Sequence, residues 1–476
     1  MGLTVIVSSR SKEEVIYNRL KTKEKKTKWR FVIPVFGIIL IVCIVLLFFK
    51  LEGGLPQVQM SPESIFIGLR RDLTISASDE KSGLKKVRAA LIKDGREIVL
   101  IDETFSSPDF FSGSDEKRKS YPLVIEPKKL GIQDGKGTLR IIAVDASWRN
   151  WLSGNTVWVE KEFTIDTHPP QVAVLSKFHY LNQGGTGLVI YKISEPSPQN
   201  GVMVGDRFFP GYSGQFQDPL TYLSYFALDH KQGPGTTVFI QATDEAGNSV
   251  RAGFSHQIKP KSFKKDVITI SDEFLNNKMP EFDDDLGDGA SGSPIDRFLK
   301  VNRELRERNY RQIVEICKNP ERKKHWEGPF LRLPNSGPQA GFADHREYLY
   351  QGKVIDSQFH LGVDLASLEQ SPVPASNAGK VIFADQLGIY GKTIIIDHGL
   401  GLFSMYSHLS RFDIQTGQLA DKGRVIGHTG LTGLAGGDHL HFSIIIHHTF
   451  VHPVEWWDPL WIQKRIDAKL NGAESD

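Results

Sequence analysis

His439-Leu440-His441-Phe442-Ser443-Ile444-Ile445-Ile446 reads as a strand with chemistry at one end and core at the other. Side chains two apart on an extended strand share a face, so His439 and His441 point the same way as the run enters apolar residues. His360-Leu361-Gly362-Val363-Asp364 has the same even spacing, and a strand over 359–365 would set His360 and Asp364 on one face. Between the two lies Tyr406-Ser407-His408-Leu409. Imidazole and carboxylate are zinc ligands, and three protein ligands leave a fourth position for water. With 15 His among 476 residues, about half of one His-x-His pair arises by chance, so the pair alone decides little. The order and surroundings of the whole set decide more.

Those surroundings carry a resemblance. His360–Asp364 runs on into Leu365-Ala366, then Pro372-Val373-Pro374-Ala375, Gly379-Lys380-Val381 and Gly391-Lys392-Thr393-Ile394-Ile395-Ile396-Asp397-His398-Gly399. Tyr406-Ser407-His408-Leu409-Ser410, Gly417-Gln418, Gly427-His428-Thr429-Gly430-Leu431-Thr432-Gly433, His439-Leu440-His441-Phe442 and Pro453 follow. In this order the region 326–461 resembles the lysostaphin/LytM-type zinc endopeptidases that cut peptidoglycan cross-links. The resemblance implies a small antiparallel-β zinc peptidase domain over 326–462. It implies one zinc per domain, held by His360, Asp364 and His441. It makes His408 and His439 the two non-ligand catalytic histidines, which handle protons and stabilise the oxyanion, with the division between them open. The bond cut is a peptide bond of the peptidoglycan stem or cross-bridge.

The chain departs from the family pattern in two places. Gly436-Gly437-Asp438 stands where the family has Thr-Gly-Pro, making Asp438 a candidate partner for a site histidine or a substrate subsite. Gly341-Phe342-Ala343-Asp344-His345-Arg346 only loosely matches the family's Phe-Gly-x-Arg segment. The remaining histidines, among them His345, His398, His428, His447, His448 and His452, read as structural. Trp456-Trp457 with Trp461 reads as a packed C-terminal edge. Two other functions compete: a non-catalytic activator of a wall amidase, and a wall-binding scaffold. All five site residues being present argues against the first.

The opposite end of the chain suggests an anchor. Residues 1–30 carry nine Lys or Arg against three Glu. Residues 31–49 are apolar and uncharged, and nineteen residues at about 1.5 Å each reach about 28 Å, close to the hydrocarbon thickness of a bilayer. The run ends Leu47-Phe48-Phe49-Lys50, with no small-residue cleavage site. The expectation is a retained single-pass transmembrane signal anchor in the cytoplasmic (inner) membrane. Its basic segment stays in the cytoplasm and the catalytic domain lies in the periplasm or an equivalent extracytoplasmic space. Cys43 in the span cannot pair with Cys317 outside it, so no intramolecular disulfide is available. With 58 basic against 56 acidic residues, a net charge of +2, no nucleic-acid partner is expected.

The middle of the chain is mainly β. Short alternating runs at 87–92, 138–144, 156–165, 171–175, 188–193 and 236–242 are broken by turns such as Lys93-Asp94-Gly95. Ala143-Val144-Asp145-Ala146-Ser147-Trp148-Arg149-Asn150 echoes Ala242-Thr243-Asp244-Glu245-Ala246-Gly247-Asn248, at about the length of an immunoglobulin-type sandwich. Two immunoglobulin-like domains are expected, over 56–167 and 168–258, acting as spacers or weak wall binders. Residues 259–325 read as a tether and helix. Within them 276–293 is acidic and reads as flexible. Its Asp283–Gly289 run fails as a calcium loop, because positions six and twelve hold Asp288 and Pro294. Ser293-Pro294 starts an amphipathic helix that ends before Pro320 and either packs on the peptidase domain or covers its cleft. Residues 463–476 read as a polar tail, and a protein regulator is left open.

Overall fold

The computed structural model describes residues 32–48, 50–63, 66–106, 114–287 and 291–474. The chain divides into two compact units at His168/Pro169. The basic segment 1–30 lies outside the described residues, as do Phe31 and Phe49 at the ends of the expected span. Residues 32–48 form a helix with exposed apolar side chains such as Phe36 and Ile41. Among the described residues no helix is long and apolar enough to cross a membrane.

In the N-terminal unit, Gln57–Ser61, Arg71–Ser78 and Arg118–Ile125 make a three-stranded sheet. Phe66–Ile67, Thr156–Ile165, Gly135–Asp145, Leu84–Lys93 and Arg96–Thr104, in that spatial order, make a five-stranded one. Ile75, Ala89, Ile141, Ala143 and Phe163 from the inner faces build a core of their own. The turn read at Lys93-Asp94-Gly95 is a two-residue hairpin. Asp94 and Gly95 both take positive φ (50° and 73°) and Lys93 pairs with Arg96, as the twist of antiparallel strands prefers.

The C-terminal unit begins with sheets Thr221–Ala227/Thr186–Ile193/Val172–Val174 and Arg207–Pro210/Gln199–Val204/Val238–Thr243/Ser249–Gly253. Their core residues, such as Ile190 and Phe226, belong to one cluster with Ile395, Phe403 and Ile444 farther on. Polar bonds add to this continuity. The buried Glu455 carboxylate accepts from Asn182 Nδ2 (2.7 Å) and Thr186 N (2.8 Å), and Trp456 Nε1 donates to Thr186 Oγ1 (3.2 Å). Residues 169–258 are therefore packed into the same unit as the C-terminal domain.

The tether expected over 276–293 is overturned where it is described. Asp272–Lys278, Met279–Phe282 and Asp283–Leu286 are successive helical turns, capped by Ser271 Oγ, which accepts from Phe274 N. Leu275, Met279 and Phe282 are buried. They fall at i, i+4 and i+7, one helical face, a stripe that the acidic composition conceals. The helix begun at Ser293 has a capping box with Asp296. It runs through Pro294–Lys300, Val301–Leu305 and Arg306–Ile316, burying Phe298, Val301, Leu305 and Ile313. Cys317 is a buried free thiol. Trp456 is fully buried, edge-on to Trp326 and Phe330.

Candidate metal and catalytic site

The large sheet of the C-terminal unit runs in the spatial order Gly337–Ala340, Val363–Ala366, Leu440–Ile446, Leu402–Leu409, Lys392–Gly399, Gly379–Gln386, Leu419–Ala420. Asp364 and Ser407 both lie opposite His441 in the ladder. Directly opposed residues share a face, so Asp364 and His441 converge as a consequence of register alone. His360 arrives differently. The expected single strand over 359–365 does not form: Lys353–Phe359 belongs to a separate sheet, and the chain bends at 360–362 before Val363. Backbone bonds from Ala343 N to His360 O (2.6 Å) and His360 N to Asp344 O (3.0 Å) fix the bend. Gly362 makes it possible, since a Cβ there would lie 2.5 Å from His441 Nε2 and 2.6 Å from Ser443 Oγ.

Three ligand-type atoms form a near-equilateral triangle. His360 Nε2 to Asp364 Oδ1, His441 Nδ1 to Asp364 Oδ1 and His360 Nε2 to His441 Nδ1 are each 2.9 Å. His360 Nδ1–H donates to Gly341 O (2.8 Å), so Nε2 holds a lone pair. Ser443 has one hydroxyl proton and gives it to Leu361 O (2.9 Å). Toward His441 Nε2 (3.1 Å) it acts as acceptor, leaving the lone pair of that ring on Nδ1. Two imidazole lone pairs and a carboxylate oxygen thus face one point. No proton is left to bridge them, and a cation satisfies all three. Burial pushes His441 down to about 4 against the pull of Asp364, keeping the ring neutral. Burial alone would raise Asp364, but His360 and then His439 and His441 hold it well below the usual carboxylate range.

His408 and His439 stand beside this triangle, with ring centroids 4.9 Å apart. His408 Nδ1–H donates to Thr432 O and His439 Nδ1–H to Gly437 O, both at 2.8 Å. Each ring therefore keeps Nε2 for the cleft, and His439 Nε2 lies 3.5 Å from Asp364 Oδ1. Burial, then the neighbouring His439 and His441, push His408 well below the ordinary imidazole value. Burial also lowers His439, but the Asp364 carboxylate outweighs it and the net shift is upward.

Strict alternation along Leu402–Leu409 would turn His408 away. Ser407 opposes His441, while Tyr406 opposes Phe442 and meets it ring to ring at 5.3 Å on the other face. A bulge intervenes: the register against Lys392–Gly399 shifts between Lys392 and Ile394, and His408 takes φ +61°. The extra residue returns His408 to the face of His441, with ring centroids 5.8 Å apart. The even-spacing argument does not cover this residue.

Asp438 does not hydrogen-bond a site histidine. Its Oδ2 accepts from Gln370 N (3.1 Å), so a role as partner of a site histidine is withdrawn. Arg346, passed over in the sequence, donates from Nη2 to Asp364 Oδ2 (2.8 Å). It thereby occupies the second carboxylate oxygen and leaves Oδ1 to the triangle. The one available signal was the loosely matching segment that ends in this residue. Tyr390, also missed, sits 5.5 Å from the His441 ring in the short turn Gly388–Tyr390. The cleft holds about 480 Å³, and Phe274, Phe298 and Arg306 of the helical segment supply one wall. The other histidines are held elsewhere: His398 between Ala378 O and Ser404 Oγ, His428 on Asp413, His447 stacked on Tyr212.

Two histidines and an aspartate with convergent lone pairs, flanked by two further imidazoles, define a metallohydrolase type of centre. Residues 358–453 match the family model of Peptidase family M23, and the chain carries a domain of that family there. It is 38% identical over 97 residues to the DD-carboxypeptidase/endopeptidase Mpg of Neisseria meningitidis, an alignment covering 20% of this chain and 22% of that protein. It is 32% identical over 107 residues to the peptidoglycan DD-endopeptidase ShyB of Vibrio cholerae, covering 22% and 24%. The chain thus spans between a fifth and a quarter of the length of these curated relatives. Among solved structures, the catalytic domain of lysostaphin from Staphylococcus simulans is 26% identical, with 28% of this chain and 98% of that chain covered and a TM-score of 0.24.

Proposed function

We propose that the chain is a membrane-anchored zinc metalloendopeptidase that hydrolyses peptide bonds of peptidoglycan stem peptides or cross-bridges. The observation that carries this is the triangle of His360 Nε2, Asp364 Oδ1 and His441 Nδ1, walled by the Nε2 atoms of His408 and His439. Two neutral imidazoles and one carboxylate suit zinc and leave it a net positive charge. Zinc held there supplies Lewis acidity, making a bound water more acidic and a peptide carbonyl more electrophilic. The residues of the chain do the rest. Arg346 and Ser443 orient the ligands. His408 and His439 take the proton of the attacking water, hold the developing oxyanion and return a proton to the leaving amine. The relatives named as DD-endopeptidases favour a DD bond as the one cut.

The anchor is the apolar segment 31–49, supported by its length, its lack of charge and its basic flank. It sets the N-terminus in the cytoplasm and both units outside the cytoplasmic membrane. The N-terminal β domain, which we read as immunoglobulin-like, acts as a spacer or a weak wall binder.

The full chain loaded with zinc should release peptide fragments from intact sacculi, read by mass spectrometry, and His441→Ala should release none and lose its zinc. Fragment masses name the bond. Zinc bound with nothing released would favour a non-catalytic activator of a wall amidase, and no zinc bound at all would remove the peptidase reading.

A further inference from the structure

The N-terminal unit carries a feature that neither proteolysis nor spacing uses. Arg149–Leu152 is a four-residue turn whose last three residues, Asn150, Trp151 and Leu152, all take positive φ (50°, 56° and 69°). Residues with a Cβ avoid this conformation, and three in succession are rarer still. The turn buries nothing. Trp151 is 99% exposed and Leu152 47%, although Trp is among the residues most often covered. The local backbone is thus held in a disfavoured shape with a large apolar ring directed into solvent.

Its position in the unit indicates what covers it. Trp148 N donates to Lys50 O (2.9 Å), and Arg149 Nε donates to Leu51 O (3.1 Å). Lys50 and Leu51 directly follow the apolar segment 31–49. Trp151 is three residues from Trp148, within about 10 Å along the chain, so it sits beside the end of that helix. Leu51 (44% exposed) and Leu55 (60%) add apolar surface at the same end. Lys85 Nζ, donating to Leu152 O (2.7 Å), places a cation next to the turn. Indole rings with nearby cations and aliphatic side chains suit the headgroup layer of a bilayer, where one side is apolar and the other wet.

We propose that the turn Arg149–Leu152 is a membrane-interface foot. Trp151 and Leu152 enter the headgroup layer beside the anchor helix and hold the first β domain against the bilayer surface. This rests on the anchor reading for residues 31–49. The hydrogen bonds to Lys50 and Leu51 would then fix the domain relative to the bilayer, so that it does not swing on a loose tether.

The full chain, with Cys43→Ala and Cys317→Ala, is reconstituted into phosphatidylglycerol/phosphatidylethanolamine vesicles. Trp151→Cys carries a nitroxide, and Trp158→Cys, on an exposed position of the same domain (61%), is the control. Flotation and alkaline extraction test the anchor, and accessibility of the label tests the foot. We expect the chain to float and resist extraction. The ratio of oxygen to water-soluble nickel-chelate accessibility should be severalfold higher at 151 than at 158. A floating chain whose label at 151 is as aqueous as that at 158 overturns the foot and leaves the anchor standing. A label at 151 protected only when sacculi fragments are added would reassign the ring to the wall and also overturn the foot. Failure to float overturns both readings.

Discussion

The strand Thr156–Ile165 in the N-terminal unit and the strand Leu440–Ile446 in the C-terminal unit are built on the same ladder but differ across it. Along the first only Phe163 and Ile165 are buried, and Trp158, Glu160 and Glu162 face water. Along the second, all seven residues are buried. One face packs Phe442, Ile444 and Ile446 into the core, and the other buries His441 and Ser443. A sheet with one wet face can space or dock. A sheet buried on both faces with polar groups on one of them must give every such group a partner, and that requirement is what positions a site. The histidines follow the same division: of fifteen, His168 alone lies in the N-terminal unit.

The largest effect that would test this contrast is His408→Ala. We expect activity on sacculi to fall about 10²- to 10⁴-fold, the range of a lost general acid or base, with zinc content unchanged. Loss of zinc as well would make His408 a ligand, and a loss under tenfold would remove it from proton transfer.

A smaller effect separates buried from exposed ion pairs. Arg346→Met leaves Asp364 Oδ2 without its guanidinium, and zinc affinity by chelator competition should weaken about 10- to 100-fold. Arg140→Met in the N-terminal unit removes a half-exposed pair with Glu160 and should cost at most about 1 kcal/mol in denaturation. Equal zinc affinity in Arg346→Met and the parent chain would refute the positioning role.

The smallest is a difference in acid sensitivity. Burial pushes His179, His230, His398 and His452 down to about 4 and His447 to about 3. These rings stay neutral in the fold, so below pH ~6.5 the unfolded chain takes up protons that the fold refuses. Stability is then lost as pH falls from about 6.5 to about 4. Burial raises Asp397 to about 6 and Glu455 to about 7. In this window those groups act the other way, but they are two against five. Hydrogen-exchange protection factors, with the intrinsic pH dependence of exchange divided out, should fall more between pH 7 and pH 4.5 in peptides of 169–474 than in those of 66–168. The reverse order would refute the assignment.

His360, Asp364 and His441 come together in the fold by two different routes. For Asp364 and His441 the face follows from strand pairing, and a period-2 reading reaches it. For His360 the expected strand is absent, and a bend at Gly362 brings the ring round. For His408 alternation points to the wrong face, and the bulge corrects it. The resemblance covered both cases because a motif records where residues end up without recording how. The acidic segment 276–286 departs from expectation for the opposite reason: its composition favours a tether, while the spacing of Leu275, Met279 and Phe282 favours a helix.

Sequence alone determined that this chain carries a metallopeptidase-family domain near its C-terminus, that β structure precedes it, and that His360, Asp364, His408, His439 and His441 stand at the positions of the motif. Those conclusions rest on residue identity and short-range spacing, which the chain carries wherever it folds. Tertiary structure decided the lone-pair tautomers of His360 and His441, the return of His408 to the cleft, the grip of Arg346 on Asp364, and the merging of 169–258 with the C-terminal core. Each depends on a partner brought close by packing, such as a carbonyl, a hydroxyl, a guanidinium or a facing sheet, and no local pattern encodes the position of a partner dozens of residues away.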